Sequence, residues 1–134
     1  MKFETALRTT MANEILARLQ AGTAALPKIQ CYDGAIPSNI GDAIADNLLF
    51  EMEMSSTVGT VTDGVITFDP ISDDASANNA GAVGWARLLN RDGVEIIYLT
   101  ASAQGLGGEL QVNPGTIAAG ETVSATLGII RAGA

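Results

Sequence analysis

The most informative absence in this 134-residue chain is histidine, of which there is none. Without imidazole, Ser-His-Asp and Cys-His catalytic groups and histidine-ligated zinc or haem sites are excluded. Cys31 is the single cysteine, so no disulfide can form within the chain. Because Cys31 alternates with Ile29 in a predicted strand, we interpret it as a small buried hydrophobe and not as a nucleophile.

Basic residues and long apolar runs are also scarce. Seven Lys and Arg stand against 15 Asp and Glu, which gives a formal net charge of −8 and disfavours binding to nucleic acid. No run approaches the roughly 20 apolar residues of a membrane span. Glu4, Arg8 and Asn13 interrupt any signal-peptide core, so we expect synthesis in the cytoplasm and no membrane partner.

What the chain has in quantity is small and apolar residues. It is 47% hydrophobic but only 4% aromatic, and it contains 15 glycines. This composition favours closely packed strands joined by glycine turns, and the length suits one domain without metals or disulfides. Expected strands follow at the spacing of a β-sandwich or jelly roll: Lys28–Tyr32, Leu48–Met54, Val58–Thr62, Val65–Phe68, Gly84–Leu89, Val94–Thr100, Glu109–Asn113 and Glu121–Ile130.

An N-terminal amphipathic helix is predicted within residues 1–22, ahead of a β-sandwich domain over residues 23–134. Its apolar stripe repeats every four residues, and comprises Phe3, Leu7, Met11, Ile15 and Leu19. The stripe either covers the domain's own sheet or docks on a neighbouring subunit, and we favour the first interpretation. We further predict that the last strand turns Val123, Ala125, Leu127 and Ile129 toward the core.

Turns and loops account for most of the acidic residues. Asp63-Gly64 is a type I′ hairpin signature, and Asn90 to Gly93 forms a second turn in which Gly93 needs a positive φ. We interpret residues 35–47 as a loop with a short helical turn near Asp42 to Ala45. Residues 72–82 are predicted to be a polar loop with nothing to bury.

Few groups suggest chemistry. The loop from Asp69 to Asn79 has the oxygen ligands that calcium prefers, but lacks EF-hand spacing, so a solvated loop is favoured over a calcium site. A hydrolase with paired carboxylates and a carbohydrate-binding module remain as alternatives, the latter weak because aromatic platforms are few. We therefore predict no catalytic, cofactor or metal site. The expected interface residues are Phe3, Leu7, Met11, Ile15, Trp85, Asp73 and Asp74, although a lone tryptophan such as Trp85 is more often part of the core and both options stay open.

Several short segments, taken in order, resemble small virion structural proteins of tailed bacteriophages. The segments are Ala6-Leu7-Arg8, Tyr32-Asp33-Gly34 followed by Ile36-Pro37-Ser38, Leu48-Leu49-Phe50, Gly84-Trp85-Ala86-Arg87 with Asp92-Gly93, and residues 117–123. The resemblance spans nearly the whole chain, but no segment carries a chemical signature.

This resemblance implies a non-enzymatic capsid decoration, or cement, protein. Such a protein would bind the outside of the major capsid protein lattice, associate with copies of itself as a dimer or trimer, and reside in the virion. The alternative that the resemblance implies is a tail, baseplate or fibre component.

Overall fold

The computed structural model describes residues 1–133 and confirms a mostly β domain with one N-terminal helix. The helix α1 spans Thr5–Leu19. The strands are β1 Lys28–Tyr32, β2 Leu48–Glu53, β3 Gly59–Thr62, β4 Val65–Phe68, β5 Gly81–Ala82, β6 Trp85–Leu89, β7 Glu95–Ala103, β8 Leu110–Asn113, β9 Thr116–Ile117 and β10 Ser124–Arg131. The predicted strands are the members of the main sheet, whereas β5 and β9 were not predicted.

The main sheet has eight strands in the order β2-β1-β6-β7-β8-β10-β4-β3, and β5 pairs with β9 in a separate two-stranded sheet. The large sheet is curled, and neighbouring strands are antiparallel except for β7 and β8, which are parallel. Parallel neighbours normally need a long crossover connection. Here the paired segment is only Ala101–Ala103 against Leu110–Val112, so a short loop is sufficient.

Helix α1 packs against the core within its own chain. It contacts β3, β4 and β7, and it buries Ala12 and Leu19 completely. The predicted stripe is only partly correct, because Leu7 is 44% exposed. A step of four residues advances 400° around a helix with 3.6 residues per turn, so a stripe with that spacing drifts away from one face. Among residues 1–133, no helix has the length and apolarity to cross a bilayer.

A β-bulge changes which residues of β10 face the core. Val123 is buried and Ala125 packs against the core, as predicted. The register then shifts between Ala125 and Leu127, so that Leu127 turns outward and is 39% exposed. Gly128 and Ile130 take the buried positions instead. The prediction that Leu127 and Ile129 face the core was therefore wrong, since an extra residue reverses the alternation beyond it.

The polar segment 72–82 covers the edge of the sheet and is not the free loop that was predicted. The backbone N–H of Glu51 donates to Asp74 Oδ2 at 3.0 Å, and that of Asn78 donates to the Leu49 carbonyl at 2.8 Å. Ala77 is buried here. Since open strand edges invite pairing with other chains, this segment protects the outer edge of β2.

Two turn predictions are confirmed and one is not. Asp63 and Gly64 have φ of 50° and 81°, as a type I′ hairpin requires, and Gly93 has φ of 81°. The predicted helical turn near Asp42 to Ala45 is absent. A turn comes earlier instead, where the N–H of Asp42 donates to the Asn39 carbonyl at 3.3 Å.

Candidate binding surface

The one tryptophan and both tyrosines of the chain meet on the outer face of the sheet, opposite the core. Strand pairing places Tyr32 of β1 opposite Trp85 of β6. Their rings stack with centroids 4.7 Å apart and an interplanar angle of 16°. The ring of Tyr98 from β7 is tilted by 57° against Trp85 at 5.0 Å. We call these three residues the aromatic cluster.

Arg87 connects the aromatic cluster to a polar network across four neighbouring strands. Its Nε donates to Gln30 Oε1 at 2.7 Å, and its Nη1 lies 3.3 Å from Glu95 Oε1. The Arg87 guanidinium carbon also lies 5.8 Å from the centre of the Tyr32 ring. The Gln30 amide donates onward to Glu51 at 2.7 Å. Arginine has rigidly placed donors on one planar group, which suits it to this bridging position.

The two phenols of the cluster both have a raised pKa, with burial as the main cause. Burial raises the pKa of Tyr32, although the nearby Arg87 opposes this effect. Burial also raises the pKa of Tyr98, and so does its hydrogen bond to Glu95. A phenol is protonated at neutral pH even with its ordinary pKa, and both hydroxyl groups act as donors, Tyr98 to Glu95 and Tyr32 to Gln30.

Residues 33–47, which we call the contact loop, cover the aromatic cluster. Trp85 Nε1 donates to Asp46 Oδ2 at 2.9 Å, and the N–H of Gly41 donates to the Tyr98 hydroxyl at 3.3 Å. At the base of the loop, the N–H of Asn47 donates to Asp33 Oδ1 at 2.8 Å. The loop is thus fixed at its base and, through Gly41 and Asp46, over the cluster, although it has no regular secondary structure.

The contact loop exposes apolar side chains despite being fixed. Ile36 is 42% exposed and Ile40 is 52% exposed. Long loops without secondary structure in compact domains are usually functional. The loop also buries Trp85 completely, so the aromatic cluster does not offer an open stacking platform to a sugar ring.

A cleft of about 270 Å³ lies beside the polar network. It separates residues 24–26 from the turn of the β6–β7 hairpin, and Lys28, Gln30 and Glu51 reach it from the sheet. Asp92 closes one end by accepting the N–H groups of Thr23 and Ala24 at 3.0 and 3.2 Å. These backbone hydrogen bonds lower the pKa of Asp92 below its ordinary value.

The structure does not bring the predicted interface residues together on one surface. On α1, Leu7 is exposed, Phe3 is half-buried, and Met11 and Ile15 pack partly against the core. Trp85 has no exposed surface.

The two acidic residues of the predicted interface, Asp73 and Asp74, lie in different environments. Asp73 is exposed, whereas both carboxylate oxygens of Asp74 accept backbone N–H groups, those of Ser76 and Glu51. In the part of the chain that the structure describes, no group of three or more Cys, Asp or Glu side chains is placed to hold a metal ion.

Sequence reasoning did not single out Gln30, Arg87, Glu95 or the contact loop as parts of one surface. The alternation in β1 and β6 does place Gln30 beside Tyr32 and Arg87 beside Trp85 on the same side of each strand. However, the pairing of β1 with β6 joins segments far apart along the chain. No local pattern specifies such a pairing.

Comparison of the chain with protein-family models, with curated proteins and with solved structures finds no match. Its function must therefore be inferred from its own residues.

Proposed function

We propose that this chain is a structural protein of a tailed-bacteriophage virion that decorates the capsid by binding the outside of the major capsid protein lattice. The observation that carries the proposal is the contact loop, which exposes Ile36 and Ile40 while hydrogen bonds hold it on the aromatic cluster. A loop ordered before binding loses less conformational entropy on association. Such a loop is suited to binding a fixed protein surface.

The polar network beside the aromatic cluster supports a mechanical role for this face of the sheet. Glu51 is bonded to Gln30 and lies 3.5 Å from Lys28, and Glu95 interacts with both Arg87 and Tyr98. The carboxylates of the network thus stabilise the platform that carries the loop. The net charge of −8 adds long-range attraction to a basic partner surface.

Binding to capsids that lack the chain tests the proposal. The purified protein is mixed with such capsids and sedimented, and the bound fraction is measured as a function of concentration. We expect saturable binding, and we expect the double variant Ile36→Ser, Ile40→Ser to bind at least about tenfold more weakly, because it loses two apolar contacts. The matched control is Leu26→Ser, which changes an exposed apolar residue outside the contact loop.

Copy number in the virion distinguishes the capsid from the tail. Decoration predicts a copy number comparable to that of the major capsid protein, measured by quantitative mass spectrometry of purified virions. A copy number far below that, or a double variant that binds as well as the control, would contradict the proposal.

A further inference from the structure

A groove of about 270 Å³ opens in the main sheet between β10 and the chain that follows β4. These two segments are paired at both ends of the groove, through Thr67 with Ile129 and through Asp74 with Val123. Two backbone hydrogen bonds, of 3.0 and 2.8 Å, hold the second pair. Between the two pairs the segments separate, so the groove is a gap that is closed at each end.

Hydrogen bonds on the far side of each wall keep the groove open. In the wall after β4, the N–H of Asp69 donates to the Val58 carbonyl at 2.9 Å, and the N–H of Ser72 donates to the Glu53 carbonyl at 3.0 Å. In the other wall, β10 pairs with β8, and its bulge turns Leu127 outward. A ligand does not have to separate the walls before it binds, which lowers the cost of binding.

The lining of the groove is mostly apolar and includes no lysine or arginine. The apolar groups come from Phe68, Pro70, Ile71, Ala125 and Leu127. A cavity of about 150 Å³ is enough to hold benzene. The groove therefore has room for one aliphatic or phenyl side chain of a partner.

Asp69 is the one charged residue in the lining, and it is half-buried. No lysine or arginine among residues 1–133 forms an ion pair with it, including Arg131 of β10. A basic group of a ligand can therefore pair with this carboxylate without displacing another partner. The net charge of −8 favours a cationic ligand as well.

We propose that the groove binds an extended segment of another protein in which an apolar side chain of about the size of leucine is flanked by lysine or arginine. The apolar side chain fills the groove, and a basic neighbour pairs with Asp69. Charge complementarity selects such a partner over a second copy of this chain, because two copies with a net charge of −8 repel each other. The groove is separate from the contact loop, so the inference goes beyond the proposed function and does not depend on it.

A blocked tripeptide with leucine between two lysines is the probe, and its binding to the full chain is followed by heteronuclear NMR at low salt. We expect saturable shifts, at millimolar peptide, of the backbone amides in residues 67–71 and 125–128. A peptide with serine in place of leucine should bind at least about tenfold more weakly, because the apolar contact is lost. A peptide with glutamate in place of both lysines should also bind more weakly, because Asp69 repels it.

Asp69→Asn should weaken binding of the lysine-flanked peptide about two- to fivefold, the range expected for a partly exposed ion pair. It should also reduce the preference for this peptide over the glutamate-flanked one. Asp63→Asn is the matched control, since Asp63 is exposed in the turn at the other end of β4 and its replacement changes the net charge equally. Asparagine tolerates the positive φ of Asp63, and this variant should bind like the native chain.

Equal binding of the three peptides, equal weakening by Asp63→Asn, or the absence of saturable shifts at the groove amides would overturn the inference. So would shifts of these amides that depend on protein concentration without peptide, because a second copy would then occupy the groove. Capsid binding by a chain that binds no peptide would remove this inference alone. Peptide binding by a chain that binds no capsid would leave the inference standing and remove the proposed function.

Discussion

Arg87→Met tests whether the polar network supports the binding surface. Methionine keeps an unbranched apolar stem near the Tyr32 ring but removes the donors to Gln30 and Glu95. Hydrogen bonds to charged groups contribute roughly 1.5–3 kcal/mol each. The side chains of Arg87 and Glu95 are 23% and 25% exposed, so hydrogen bonds to water compensate for part of the stabilisation that the variant loses. We expect the free energy of unfolding to fall by about 2–4 kcal/mol.

The assay is urea unfolding followed by far-ultraviolet circular dichroism and by the fluorescence of Trp85. The matched control is Arg18→Met, which removes a pair with Glu14 in which the side chains are 68% and 63% exposed. Exposed helical pairs of this kind contribute only about 0.3–0.5 kcal/mol. If Arg87→Met lowers the free energy of unfolding by no more than Arg18→Met does, the network does not stabilise the surface and the reasoning is refuted.

Three further predictions concern the sheet, its edge and acid stability. Gly128→Ala should destabilise the fold by about 1–3 kcal/mol in urea unfolding, because an added Cβ overlaps the Phe68 ring. Asp74→Ala should lower the free energy of unfolding by about 1–2 kcal/mol, because it leaves the Glu51 N–H unpaired. The neighbouring Asp73→Ala should change the free energy of unfolding by less than about 0.5 kcal/mol. The lowered pKa of Asp92 stabilises the fold at neutral pH, and this contribution is lost as the pH falls below about 4. Asp92→Asn should therefore flatten the decline of the urea midpoint between neutral and acid pH.

The strands of the main sheet could be predicted because their signals are local. Lys28–Tyr32 and Val65–Phe68 match the structure at both ends, since alternation and turn residues bound them. The burial of Cys31 is also confirmed, and it raises the pKa of the thiol.

The positions that differ from prediction depend on contacts between distant segments. The bulge in β10 is formed against β8, and it reverses the side on which Leu127 lies. The segment 72–82 has the composition of a free loop, yet it is ordered by the unpaired edge of β2, which no local pattern reveals. The aromatic cluster likewise needs β1, β6 and β7 to pair in one particular register.

The candidate site was predictable only in part for the same reason. Leu7 does reach the surface, but Trp85, the aromatic residue expected at an interface, is buried by the contact loop. No local sequence pattern marks the contact loop as part of a binding surface. The hydrogen bonds of Asp46 to Trp85 and of Gly41 to Tyr98 are what hold it there.

Cryo-electron microscopy of the phage particle tests the central claim most directly. We predict density for this chain outside the capsid shell, with the contact loop and its Ile36 and Ile40 facing the major capsid protein. A virion that contains the chain but shows no such density on the shell would contradict capsid decoration.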